Sequence, residues 1–203
     1  MTRIAIVFLL LCSCGGKAPP PTRYYQLALP AGAPTEATGQ GTLVVEPFQT
    51  DGAYDDDRIV YRSGPYRLDY YDYHRWTSAP GTMLSNYLAQ VLRKSGRFRT
   101  VGGEGSDDNA LVLGGRVLAI EEVDTSPKHW TGRLVLELTA KDPSGKVVWS
   151  DHFEETVPMP VQSPEGLAHA MSAAMQKIAT RITPQLGTLA DREGRERSRT
   201  VRR

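Results

Sequence analysis

Residues 58–101 confine the fold more than any other stretch of the chain. Two short alternating runs, 58–62 and 66–71, flank Ser63-Gly64-Pro65. Glycine supplies a positive φ and proline fixes its own, so these three residues predict a tight reversal and a β-hairpin around it. An aromatic run follows, with Tyr70, Tyr71, Tyr73 and Trp76. Leu84, Tyr87, Leu88, Val91 and Leu92 then recur at the spacing that lays one apolar stripe along a helix. Thr77 or Ser78 is placed to cap that helix, and Pro80 suits its first turn. Gly96 stands where a left-handed C-terminal cap belongs, and Phe98 and Val101 open an extended segment. The block reads as hairpin, aromatic hinge, helix and strand.

The flanking sequence extends this pattern. Residues 24–29 read as a short strand, 30–42 as a Gly/Ala/Pro/Thr-rich loop, and 43–48 as a strand that frays or lies at an edge near Pro47. Asp55, Asp56 and Asp57 lack the spacing and closing Glu of a calcium loop and read as a solvated turn. Residues 111–121 form a long strand, whose Gly114-Gly115 predicts a bulge or a close backbone approach. Residues 131–141 alternate, with Leu134, Leu136 and Leu138 on one face. Asp142-Pro143-Ser144-Gly145 turns the chain into 146–156, closing a second hairpin with Val147, Trp149 and Phe153 on one face. Ser163-Pro164-Glu165 opens a second helix with the stripe Leu167, Met171, Ala174, Ile178 and Ile182, and Pro184 and Gly187 are expected to end it. Residues 191–203 carry six arginines and three acids and read as a disordered tail. The fold class is therefore α/β: a single domain whose mixed sheet combines a strand–helix–strand unit with an antiparallel meander, covered by two long helices. The strand–helix–strand unit predicts a parallel pair with a right-handed crossover.

The N-terminus stands apart. After Arg3, residues 4–11 are all apolar. Eight residues are too few to span a bilayer and suit the core of a signal peptide. The run ends Leu11-Cys12-Ser13-Cys14-Gly15-Gly16, a bacterial lipobox pattern in which Cys14 is the residue to be acylated and Cys12 departs with the leader. The competing reading is a pair of buried thiols or a C-x-C metal pair. Pro19, Pro20 and Pro21 argue for a tether, about 3.1 Å per extended residue and roughly 25 Å long at most. No further cysteine follows, so the mature domain relies on its core without a disulfide. The expected organisation is a leader at 1–13, the lipidated cysteine and tether at 14–23, the globular domain at 24–187, and a disordered basic tail at 188–203.

Net charge is +1, which gives no field for nucleic acid or an acidic membrane. No phosphate-binding glycine loop, zinc spacing or nucleophile elbow occurs, so no cofactor, metal or catalytic set is expected. Asp69 and Asp72 beside His74 are the one arrangement from which a hydrolytic site could be drawn. Along 66–73, alternation sets Tyr66, Leu68 and Tyr70 on one face and Arg67, Asp69, Tyr71 and Tyr73 on the other. Either the first set packs beneath the helix and the second is exposed by chance, or Tyr71 and Tyr73 form a partner interface, where tyrosine is enriched. Trp76 reads as a core anchor at the helix entrance.

The order Ile59-Val60-Tyr61-Arg62, then Arg75-Trp76 and Pro80, then Met83, Leu84, Leu88 and Leu92, then Gly96, Phe98 and Val101 resembles the auxiliary lipoproteins of ABC-type transport systems, the PqiC-type family. The resemblance is strongest over 58–101 and extends over about 24–186. It implies a non-enzymatic, periplasm-facing lipoprotein anchored through Cys14. Its implied partners are an MCE-domain protein, with a permease and ATPase at the inner membrane, in intermembrane lipid transport. Gly15 after the anchor, in place of Asp, implies outer-membrane export by the sorting rule of enteric bacteria. Ring-forming partners imply a homo-oligomer by symmetry matching. The alternative is an envelope module that binds glycan or lipopolysaccharide through exposed tyrosines.

Overall fold

The computed structural model describes residues 18–103, 109–126 and 129–200. The sheet is built on one spine. The chain enters through β1 (Arg23–Tyr25), β2 (Thr42–Val45), β3 (Gln49–Thr50) and a 3-10 turn at Gly52–Tyr54. The hairpin β4 (Arg58–Gly64) and β5 (Arg67–Trp76) leads to α1 (Pro80–Lys94) and β6 (Thr100–Gly102). Then come β7 (Leu111–Ser126), β8 (His129–Lys141), β9 (Val147–Pro158) and α2 (Pro164–Thr200). Along one edge of β7 lie β2, β3 and β4 in succession, all parallel to it. Along its other edge runs β8, antiparallel, followed by β9. Beyond β2 lies β6, and beyond β4 lie β5 and β1. The sheet thus forks into two branches on one side of β7. Its mixed character and the β7–β8–β9 meander agree with the expected class.

The strand–helix–strand unit is present, but its strands do not form the expected parallel pair. α1 joins β5 to β6, but these two do not pair. β5 lies antiparallel to β4 in one branch, and β6 lies parallel to β2 in the other. α1 bridges the fork instead of crossing over to a neighbour.

α1 forms where its stripe requires it. Leu84, Leu88 and Leu92 are fully buried, with Met83 and Tyr87 beside them. Neither Thr77 nor Ser78 caps it: Ala79 occupies the cap position without a side-chain bond, and the Met83 N–H reaches its carbonyl at 3.0 Å. Gly96 does adopt the left-handed conformation, φ 65°. A Cβ there would collide with the Glu36 carbonyl, because the loop after β1 folds back over the end of α1. The Thr35 and Thr38 N–H groups donate to the Lys94 and Gly96 carbonyls at 2.9 and 2.8 Å. At the β4–β5 hairpin the reversal falls on Pro65-Tyr66, and Gly64 ends β4 without a positive φ. Gly115 gives the close approach its position suggested, since a Cβ there would meet Phe48 and Leu138. The register shift in β7 lies further on, between Val117 and Ala119.

α2 starts as read: the Gly166 N–H donates to Ser163 Oγ at 3.2 Å. Leu167, Met171, Ala174, Ile178 and Ile182 are all fully buried. It packs on β8 and β9 and touches α1, where the Tyr87 hydroxyl donates to the Ser172 carbonyl at 3.2 Å. It does not stop at Pro184 and Gly187. The helix runs on to Thr200, with Leu186 and Ala190 still buried, so the boundary expected at 187–188 is not a structural break. Pro184 is exposed, and so is Thr180, whose carbonyl loses its ladder donor to the proline. Gly187 is buried beneath Arg97, whose side chain a Cβ would strike. Arg97 crosses there to Asp191 at 2.7 Å. Asp191 Oδ1 also accepts the Gln40 and Gly41 N–H groups at 2.7 and 3.1 Å. Burial alone would raise the Asp191 pKa; the Gln40 N–H, Arg97 and the Gly41 N–H outweigh it and hold the carboxyl below its ordinary value.

Candidate functional site

Cys14 and the leader lie outside the described residues. The chain emerges at Ala18 and runs through three exposed prolines into β1, the outermost strand of the β4–β5 branch. β1 pairs with the end of β5, matching Arg23 with His74 and Tyr25 with Trp76. The tether would therefore enter the fold beside the aromatic hinge. Trp76 itself is 1% exposed, and its indole N–H has no partner among the described residues. It is the core anchor its position suggested.

Tyr70 and Tyr71 face opposite sides of the sheet as alternation requires, but it is Tyr71 and not Tyr70 that turns toward a helix, and beyond Tyr70 a bulge breaks the pattern. Tyr70 pairs across to Val60, and Val60 to Glu121, on the face that carries the 3-10 turn; the Tyr70 hydroxyl donates to the Ala53 carbonyl at 3.1 Å. Tyr71 turns toward the α2 side. Its hydroxyl donates to Glu122 Oε1 at 3.0 Å, and Glu122 pairs in register with Gly132, whose missing Cβ makes room for Leu167, Ala170 and Met171. The Tyr71 ring lies 5.0 Å from Tyr61 and 5.4 Å, edge-on, from His74. A bulge holds this cluster together: between two matched pairs, β4 has Ile59 alone while β5 has residues 71–74. Tyr73 is 37% exposed, Tyr24 61%, and Tyr66, at the hairpin tip, 99%. Of the two tyrosines expected at an interface, then, Tyr73 presents its ring to solvent, while Tyr71 spends its hydroxyl inside the sheet. Tyr66 belongs to the set expected to pack beneath the helix, and Tyr24 is a further exposed ring that sequence reasoning did not select. Its place opposite Arg75 on the neighbouring strand gave no local signal.

Adjacent acids on β7 meet opposite fates. Glu121 is fully buried on one face, yet its oxygens are saturated: they accept Tyr54 at 2.6 Å, Arg62 at 3.0 and 3.1 Å, and Arg133 at 3.0 Å. Burial and this carboxylate push the Tyr54 phenol up to about 12. Glu122, fully buried on the other face, holds only the Tyr71 hydroxyl, and its Oε2 has no partner among the described residues. Burial pushes it up to about 7, with nearby Asp124 adding to the effect and the Tyr71 bond opposing it.

A hydrolytic dyad is not assembled at the hinge. Among the described residues, Asp69 pairs with Arg67 at 2.6 Å, Asp72 is exposed, and His74 Nδ1 shares a 2.8 Å bond with the Tyr25 hydroxyl. No group of three metal-ligating side chains converges among the described residues, and none of the described helices is long and apolar enough to cross a membrane.

Residues 25–183 match the family model described as the ABC-type transport auxiliary lipoprotein component. A crystal structure of a Xanthomonas campestris protein covers 88% of this chain and 99% of its own, with 20% identity and a TM-score of 0.70. A second, an uncharacterised protein, covers 82% and 99% at 14% identity, TM-score 0.67. At these identities the likeness is one of fold. Among curated proteins none matches the sequence significantly.

Proposed function

The chain belongs to the ABC-type transport auxiliary lipoprotein component family, and on that premise we propose that it docks the conduit of an MCE-type lipid transporter to a membrane, without catalysis. The observation that carries the proposal is the family match across the globular domain. Cys14 serves as the acylated anchor, because two or more acyl chains hold a protein on a bilayer where one does not. The protein faces the periplasm from the outer membrane, with Gly15 as the sorting signal. Its partner is the MCE-domain protein, with permease and ATPase at a distance, and a ring of copies would match a ring-shaped partner.

We place the contact at the exposed rings of Tyr24 and Tyr73 near the root of the tether. Interfaces enrich tyrosine at well-packed centres with charge on the rim, and Arg75 supplies such charge here. The glycan-binding alternative needs rings assembled as one platform. Tyr71 is turned into the sheet, and Tyr66 lies at the far end of β5 from Tyr73, so docking is the better-supported reading.

The test is co-purification from native membranes with identification of bound subunits. Tyr24→Ala with Tyr73→Ala should retain the fold and the anchor but lose the MCE protein. Cys14→Ser should release the chain from the membrane fraction. Wild-type chain that brings down no transporter subunit, or a Cys14→Ser chain that stays on the membrane, counts against the reading.

A further inference from the structure

A groove lies between the C-terminal part of α1, the middle of α2 and the loop after β1. Val91 of α1, Ala179, Thr183 and Pro184 of α2, and Pro30 and Ala33 of the loop after β1 form its walls. Its volume is about 470 Å³, within the range of sites that hold small molecules. The walls are chiefly small and apolar. The proline that interrupts the α2 ladder contributes a flat ring to the lining, and Val91 is the one member of the α1 stripe left partly exposed. Two cations belong to the lining, Lys94 and Arg97. Arg97 is already paired with Asp191, whereas the Lys94 ammonium has no ion-pair partner among the described residues. A mainly apolar trough with one spare positive charge in its lining matches an amphiphile with an anionic head.

We propose that this groove holds one acyl chain of an anionic phospholipid, with the headgroup phosphate at Lys94 and Arg97. The inference rests on the reading of the protein as a lipid-transport accessory and gives that reading a lipid-binding site. The apolar walls cover one side of the tail. Lys94 selects for negative charge, since an ammonium on a flexible stem meets a phosphate as a point charge. Binding here leaves the Tyr24 and Tyr73 edge free for the protein partner.

The full-length lipoprotein carrying a benzophenone amino acid at Thr183 is irradiated in cells, and its intact mass is measured. Thr180, exposed on the same helix, serves as a second position should the first disturb folding, and Ser150 on β9 is the control. The expected result is an added phospholipid mass at Thr183 or Thr180, at least fivefold above Ser150. Lys94→Glu should cut the anionic share of that adduct at least fivefold. Equal labelling at Ser150, no lipid adduct at either helix position, or an adduct indifferent to Lys94→Glu overturns the proposal. So does a protein-sized adduct, or a crosslink internal to the chain that would mark its own Cys14 acyl group as the occupant. The same preparations are scored for the transporter partner. Loss of the lipid adduct with the partner retained refutes the groove alone, while absence of the partner refutes the transport reading.

Discussion

Glu122 makes stability fall as pH rises. Its ordinary pKa is 4.5, and in the folded chain burial lifts it to about 7. A carboxyl whose folded pKa is raised favours the folded state fully below its unfolded value, and that stability is lost as pH climbs through the folded value. The window is therefore about pH 4.5 to 7. Each pH step within it costs about 1.36 kcal/mol for one proton released, so the full window is worth about 3 kcal/mol. Glu122→Gln keeps the shape and an oxygen to accept the Tyr71 hydroxyl but cannot ionise. Other titrating groups, Asp191 among them, are common to both chains and cancel. Urea unfolding of the Cys14→Ser chain with and without Glu122→Gln, at pH 4.5 and pH 8, isolates the effect. The glutamine variant should gain about 3 kcal/mol relative to its parent on moving from the lower pH to the higher. A difference between the two chains that stays constant within about 0.5 kcal/mol would show that the carboxyl is well solvated, and the reasoning from its burial would fail.

Two other substitutions test how α2 is held. Asp191→Ala removes the acceptor shared by the Gln40 and Gly41 N–H groups and Arg97. Charge-assisted bonds of this kind contribute about 1.5–3 kcal/mol each at most, so hydrogen exchange after Ile182 should quicken while the β7–β8 ladder keeps its protection. Pro184→Ala should stabilise the chain by about 1–3 kcal/mol in thermal unfolding, because an exposed mid-helix proline forfeits a ladder bond that alanine restores. A fall in melting temperature would show that the proline ring packs within the groove more tightly than its exposure indicates.

The legible parts of this fold were those with a repeating signal. The stripes Leu84-Leu88-Leu92 and Leu167-Met171-Ala174 specify which side of each helix is buried, and burial follows them. Gly96 was legible because a left-handed cap has a local cause. Pro184 and Gly187 misled because punctuation rules carry only local information. Whether a proline ends a helix depends on whether its orphaned carbonyl meets water, and Gly187 is explained by Arg97, ninety residues earlier in the chain. Tyr70 and Tyr71 do fall on opposite faces, but Tyr71 is the one on the helix side, and the bulge at 71–74 parts it from exposed Tyr73. A strand with polar and aromatic residues on both faces does not declare which of them a helix will cover. That was settled by Gly132 on another strand, whose bare backbone admits α2. The Glu122 site was invisible for the same reason: its character comes from lacking the arginines that its neighbour Glu121 collects across strands.

The parallel pairing of β1 with β5 bears on how the domain carries load. A pull on residue 18 along the line of β1 would load all three matched positions at once, as shear, and not unzip them one by one. The Thr77 N–H bond to the Tyr25 carbonyl and the Ala28 N–H bond to Ser172 stand behind that ladder, so such a load reaches the core only after they rupture. Residue 18 is therefore a point at which the domain can be held against a pull without first shedding its edge strand.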